Sequence, residues 1–178
     1  MKRSMDFLLS IIIGILSSLV ASFAFLFFLT RLRPKVVIAK EISKGTDVVG
    51  KPIYSIKVVN ISTRSIINIK AQLQLISPTN APGGLIKGVY DIILAGDNPL
   101  EISKYKRNED EENNAFRFSI REELDKVWED DKHTYLRFTI FATDSLSGFA
   151  EVFTQEYRLK RISLIEGDFV RGHGLEIK

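Results

Sequence analysis

The 178-residue chain contains no cysteine. Disulfides, thiolate nucleophiles and cysteine-based metal centres are therefore excluded, and a reducing compartment suits the composition better than an oxidising one. Histidine is almost as scarce, with only His133 and His173. Neither has a second His or a Cys at ligand spacing, so no zinc site is expected. Asp144, Ser145 and His173 could be combined into a nucleophilic set, but Ser145 lacks the G-x-S-x-G elbow such a serine needs. An Asp-Ser pair capping a hairpin turn accounts for it better. No P-loop or dinucleotide G-x-G-x-x-G occurs, and Gly172-His-Gly174 is too short to count. The expectation is no cofactor and no enzymatic reaction.

An excess of one charge is also missing from most of the chain. The net charge is +3, yet from Pro34 to Lys178 there are 21 Lys plus Arg and 21 Asp plus Glu. The surplus comes from Lys2, Arg3, Arg31 and Arg33 against Asp6. A nucleic-acid-binding domain would carry a basic patch of its own, so no nucleic-acid partner is expected. The acidic run Glu109-Asp-Glu-Glu112 lacks the spaced carboxylates and interposed Gly of a calcium loop, so no metal is expected there.

The longest absence is within Phe7–Thr30, FLLSIIIGILSSLVASFAFLFFLT, which has no charged residue, no Pro and no Asn or Gln. At about 1.5 Å per residue this run exceeds the roughly 30 Å hydrocarbon core of a bilayer, and it reads as a transmembrane helix. A cleaved signal peptide would place Lys2 and Arg3 in the n-region and Val20-Ala21-Ser22 at the cleavage site. The apolar run is longer than an h-region of about 7–15 residues and continues past that site. Lys2 and Arg3 flank the span on one side, and Arg31, Arg33 and Lys35 on the other. The larger cluster tends to stay in the cytoplasm, so the following domain is expected inside. Ser10, Gly14, Ser18 and Ser22 recur every four residues and form a ridge of small side chains. Such ridges let helix backbones approach closely in lipid, and a homo-oligomeric helix contact is expected there.

Pro34 ends the helix pattern, and the chain turns at once to period two. The expected organisation is a tail at 1–6, the span at 7–30, a basic juxtamembrane segment at 31–35 and a β-sandwich domain at 36–178. Val36, Ile38 and Ile42 share one face, interrupted by Lys40. Tyr54, Ile56 and Val58 share another, with Ser55 and Lys57 expected in solvent. Ile67, Ile69, Ala71, Leu73 and Leu75 alternate with polar residues and form the clearest strand. Ser77–Gly84 reads as a loop, Lys104–Asn114 as a solvated loop, and Asn60-Ile-Ser62 is a glycosylation sequon. Ser119-Ile-Arg-Glu122 matches a capping box opening one short helix to about Trp128, a residue expected to plug the core. Leu136, Phe138, Ile140 and Ala142, the turn Asp144–Gly148, and the strand from Phe149 to Tyr157 predict a long central hairpin covered on both faces. Roughly eight short strands and one helix predict an antiparallel β-sandwich of immunoglobulin-like type, mainly β, after the single membrane helix.

The order of elements from Thr139 to Gly172 resembles the cytoplasmic immunoglobulin-like domain of inward-rectifier potassium channels. It runs through a strand, a Gly-containing turn, a long strand ending at Tyr157, then Ile165, Gly167 and Phe169. That resemblance implies a sandwich and ring-like assembly beneath a membrane. The chain departs from those channels in having one spanning helix where they have two, and no TVGYG-like filter, so potassium conduction is not implied. The expected role is a single-pass, membrane-anchored interaction protein that self-associates, recruits a protein partner at the membrane face, or both. The alternatives are a subunit of a channel-like or pore-forming assembly, and an extracytoplasmic envelope module.

Overall fold

The computed structural model describes residues 2–47, 50–106, 112–130 and 133–178, with the side chains of 2–8 and 112 outside the described set. The Glu109–Glu111 part of the acidic run lies outside it too. One long helix, α1 (Lys2–Thr30), leads into two packed β-sheets. Its Leu9–Thr30 segment is long and apolar enough to cross a membrane, and none of it is buried inside the chain.

The first sheet contains β1 (Val36–Ile38), β2 (Ile42–Thr46), β3 (Pro52–Asn60), β6 (Leu94–Ala95), β8 (Ala115–Ile120) and β11 (Leu164–Glu166), in the order β11-β2-β3-β8-β6. Strands β1 and β2 lie end to end along the same side of β3, both paired with it and separated at residues 39–41, and β11 pairs with β2 beyond them. The second sheet contains β4 (Ile66–Ala81), β5 (Gly84–Ile92), β7 (Glu101–Ile102), β9 (Tyr135–Asp144) and β10 (Ala150–Tyr157), in the order β10-β9-β4-β5 with β7 beside the start of β4. Every pairing is antiparallel except that of β11 with β2, which is parallel. The core forms where Tyr54, Ile56, Val58 and Phe118 face Leu73, Leu136, Phe138 and Ile140, with the Phe118 and Phe138 rings 5.4 Å apart between the sheets. Trp128 is fully buried in this core, as its sequence position suggested.

Several local expectations change. Ser77–Gly84 is not a loop, because β4 runs through to Ala81 and pairs with β5 across the two-residue turn Pro82-Gly83. From Gly84 to Asp91 strand β5 is exposed, so this hairpin projects as an arm beyond the sandwich. In β4 the alternation slips. Asn68 adopts φ 52° and a bulge separates Ile67 from Lys70, so Ile66 and not Ile67 faces the core. The capping box does not form: Ser119 stays in β8, and Glu122 accepts from the Ile93 N–H and the Tyr90 hydroxyl at the base of the arm. Two four-residue helices are present instead of one, α2 (Leu124–Val127) and α3 (Lys160–Ser163). The β9–β10 hairpin is not central either. β10 is the edge of its sheet, and Val152 stands exposed on it.

Lys57, expected in solvent, is fully buried. The C-terminal segment after β11 crosses the outer face of the first sheet, and Lys57 Nζ donates to Val170 O at 2.7 Å while Arg117, directly opposite on β8, donates to Phe169 O at 2.9 Å. Two neighbouring cations are thus held by carbonyls of one covering strap. Gly167 makes the strap possible. It takes φ 127°, and a Cβ there would lie 2.5 Å from Lys178 O.

Candidate functional site

The helix exit and the sandwich end against it form one hydrogen-bonded unit. Beyond Thr30 the chain makes one tight turn, with Leu32 N–H donating to Leu29 O. Ser147, in the β9–β10 turn, then shares its single hydroxyl proton between Leu32 O and Asp144 Oδ1, each 3.0 Å away. Lys35 N–H donates to Ser62 Oγ at 2.7 Å, and Ile61 N–H donates to Lys35 O at 2.9 Å. Pro34 is buried between these contacts. The join between helix and sandwich is therefore pinned by two loops of the sandwich and is not a free linker.

Both loops are rigid for local reasons. Asn60 is fully buried, and its Nδ2 donates to Arg64 O (2.8 Å), Ser103 O (2.9 Å) and Ile102 O (3.2 Å) while its Oδ1 accepts from Ser62 N–H (2.8 Å). The sequon is thus a buried Asx turn at the helix-proximal end of the sandwich, inaccessible to a glycan in the folded chain. Asn114, expected in a solvated loop, is buried and donates to Asn60 O. In the other loop, buried Asp144 accepts from the N–H groups of Leu146 and Ser147, the Ser147 hydroxyl and Arg64 Nε. Burial alone would raise this carboxyl. The Ser147 and Leu146 backbone bonds, with the Ser147 hydroxyl and Arg64, outweigh it and hold the carboxyl below its ordinary range. Asp144 is a turn cap, and His173 is exposed, its ring set edge-on to Tyr105.

On α1 the structure places Ser10, Gly14, Ser18 and Ser22 in the exposed surface of the helix, one turn apart. Ser22 donates to Ser18 O, and neighbouring Ser17 to Ile13 O and Gly14 O, so these hydroxyls are satisfied within the helix and can face an apolar medium. Nothing lies within 4 Å of a Cβ built on Gly14. Arg31, Arg33 and Lys35 are exposed around the helix exit, with the Arg31 guanidinium 4.9 Å over the Phe27 ring. The side chains of Lys2 and Arg3 are outside the described set.

At the opposite end of the sandwich lies a cleft of about 680 Å³ lined by Lys44, Thr46, Asp125, Glu166 and Asp168 among others. Its charges face one another. Asp125 accepts from Lys44 Nζ (2.9 Å) and the Tyr54 hydroxyl (2.8 Å), and Lys160 Nζ stands 3.2 Å from its other oxygen. The Lys44 bond, against the opposing cost of burial, is the main reason the Asp125 carboxyl is lowered to about 2. These groups clamp α2 to β2, β3 and α3. Among the described residues, no three His, Cys, Asp or Glu side chains are grouped to hold a metal ion. Sequence reading gave Asp144 as a turn cap but missed its Arg64 partner, and it missed Asn60 and Lys57. Asn60 was visible as an Asn-x-Ser turn motif, while the others depend on partners distant in the chain.

Compared with known protein families and with curated proteins, the chain matches none.

Proposed function

We propose that this protein is anchored in a membrane by one span and acts there as an interaction module, self-associating through α1 and presenting its β-sandwich to a protein partner. One observation carries the reading: Leu9–Thr30 is uncharged, apolar enough to cross a membrane and unburied, so lipid or another helix is its natural cover. The pinned helix exit supports it, because a sandwich held this closely to a span is fixed at the membrane face. The larger flanking cluster, Arg31, Arg33 and Lys35 against Lys2 and Arg3, supports the cytoplasmic side for the sandwich.

The Ser10–Gly14–Ser18–Ser22 ridge is the self-association face. Gly14→Leu tests it, since the open space at Gly14 leaves the single helix unstrained by the new side chain. The full-length protein in lipid nanodiscs is expected to give a discrete oligomer by mass, which Gly14→Leu reduces to monomer. A monomer for both proteins would leave α1 as a tether only, and an oligomer unchanged by the substitution would move the contact to another surface. Protease protection in sealed vesicles reads the side: cleavage of the sandwich from the compartment opposite the cytoplasm overturns the assigned orientation.

A further inference from the structure

Two large apolar side chains stand exposed at the helix-proximal end of the sandwich. Leu146, at the tip of the β9–β10 turn, is 70% exposed, and Ile61, in the β3–β4 loop, is 46% exposed. Neither fills the core, and each sits beside a hydrogen bond to the helix exit. Leu146 is next to Ser147, whose hydroxyl holds Leu32 O, and Ile61 donates its own N–H to Lys35 O. Arg31, Arg33 and Lys35 are exposed around the same exit.

We propose that Leu146 and Ile61 dip into the headgroup–acyl boundary of the bilayer that α1 spans, so that the sandwich lies against the lipid surface at three points: the helix, the β9–β10 turn and the β3–β4 loop. This rests on the membrane reading of α1. Leu32 lies two residues past the helix end and its carbonyl is 3.0 Å from the hydroxyl of Ser147, so two residues and one hydrogen bond join the neighbour of Leu146 to the end of the span. The interfacial layer on each side of the hydrocarbon is about 5–8 Å deep. Leu146 and Ile61 belong to the two loops that are hydrogen-bonded to the chain as it leaves the span, which makes them the exposed apolar tips next to that layer. The composition fits the same surface: apolar tips ringed by arginine and lysine bind a headgroup boundary through buried apolar area together with attraction to anionic lipid. At the other end of the molecule the exposed residues of the β4–β5 arm, Leu85 and Ile86, have no such neighbour.

The consequence is orientation. A domain on a single flexible tether would tumble, whereas three contacts fix which faces of the sandwich look sideways along the membrane and which point away from it. The edge of β10 and the projecting arm then face fixed directions, which a partner or second copy could use.

Because the chain has no cysteine, single-cysteine variants give a clean test. Leu146→Cys, Ile61→Cys, Ile86→Cys and Leu16→Cys in the full chain are spin-labelled in nanodiscs containing zwitterionic and anionic lipid. Collision rates with oxygen and with a neutral nickel chelate are then compared. All four positions are exposed, so the fold tolerates the labels. The expected oxygen-to-nickel ratio at 146 and 61 is about threefold or more above that at 86, approaching that at 16, as for interfacial apolar anchors. A lipid-like label at 16 with water-like labels at 146 and 61 overturns the docking and leaves the span intact. A water-like label at 16 overturns the membrane reading itself. Labels at 146 and 61 that are immobilised and shielded from both reagents show a protein cover in place of lipid, which also overturns the proposal.

Discussion

At the helix-proximal end of the sandwich the polar groups are buried and almost entirely matched: Asn60 and Asp144 each hold several backbone partners and no part of either is in water. At the distal end, Asp125, Lys44 and Lys160 meet at similar distances, but the carboxylate itself is partly open to solvent where that of Asp144 is not. The bond lengths barely differ, yet the consequences of losing them do. Removing one member of a buried set leaves its partners without water to replace it, while an exposed set is refilled by solvent. The rigid end is also the end that carries the helix, so the strongest polar bracing in the molecule lies where the sandwich is joined to α1.

The largest expected effect is at Asn60. Asn60→Leu keeps the volume but strands Ser62 N–H and three carbonyls, and it is expected to cost about 4 kcal/mol of folding stability. Trp128, the single tryptophan and fully buried, reports unfolding directly through its fluorescence. A loss below about 1 kcal/mol would mean that water enters and serves the same partners, and the contrast between the two ends would fail.

A smaller effect is expected at Asp144. Asp144→Asn keeps an oxygen for the Leu146 and Ser147 N–H groups but removes the charge that faces Arg64. The expected cost is about 2 kcal/mol, less than for a wholly buried ion pair because Arg64 is itself partly solvated. The same denaturation series measures it. A cost equal to that of Asn60→Leu would show that the charge, not the backbone bonding, is what organises this turn.

Much of this arrangement was legible in the chain. The helix was readable because 24 residues without a charge, Pro, Asn or Gln have one physical destination. The β9 strand was readable because one of its faces is buried and the other is not, so Leu136, Phe138, Ile140 and Ala142 declare the period. What was hidden depends on partners far away in sequence. Lys57 looks like a solvated strand residue until the strap more than a hundred positions later covers it. Glu122 looks like a cap until the base of the β4–β5 arm claims it. The arm itself was concealed by its own residues, since Pro, Asn and Gly serve a loop or the end of a hairpin equally well. The bulge at Asn68 reverses an alternation that composition alone cannot reverse. Asn60 was misread for a subtler reason: the same triplet is an acceptor sequence when exposed and an Asx turn when buried, and burial is a property of the fold.

The smallest expected effect, and the sharpest test of the contrast, is at Asp125. Its carboxyl is lowered to about 2 in the folded chain against about 3.9 when unfolded. A lowered acid stabilises the fold above its unfolded value, so the contribution is complete at neutral pH and disappears as the pH falls from about 4 through about 2. Solvent around the group limits it to about 1 kcal/mol, and Asp125→Asn is expected to cost that much at pH 7 and only a small fraction of it at pH 2. Salt separates the two ends further. At about 1 M salt the screening length is about 3 Å, so the Asp125→Asn penalty should shrink by about half while the Asp144→Asn penalty holds. Equal salt dependence at both sites would mean that Asp144 is hydrated in solution, and the distinction between a buried brace and an exposed clamp would not survive.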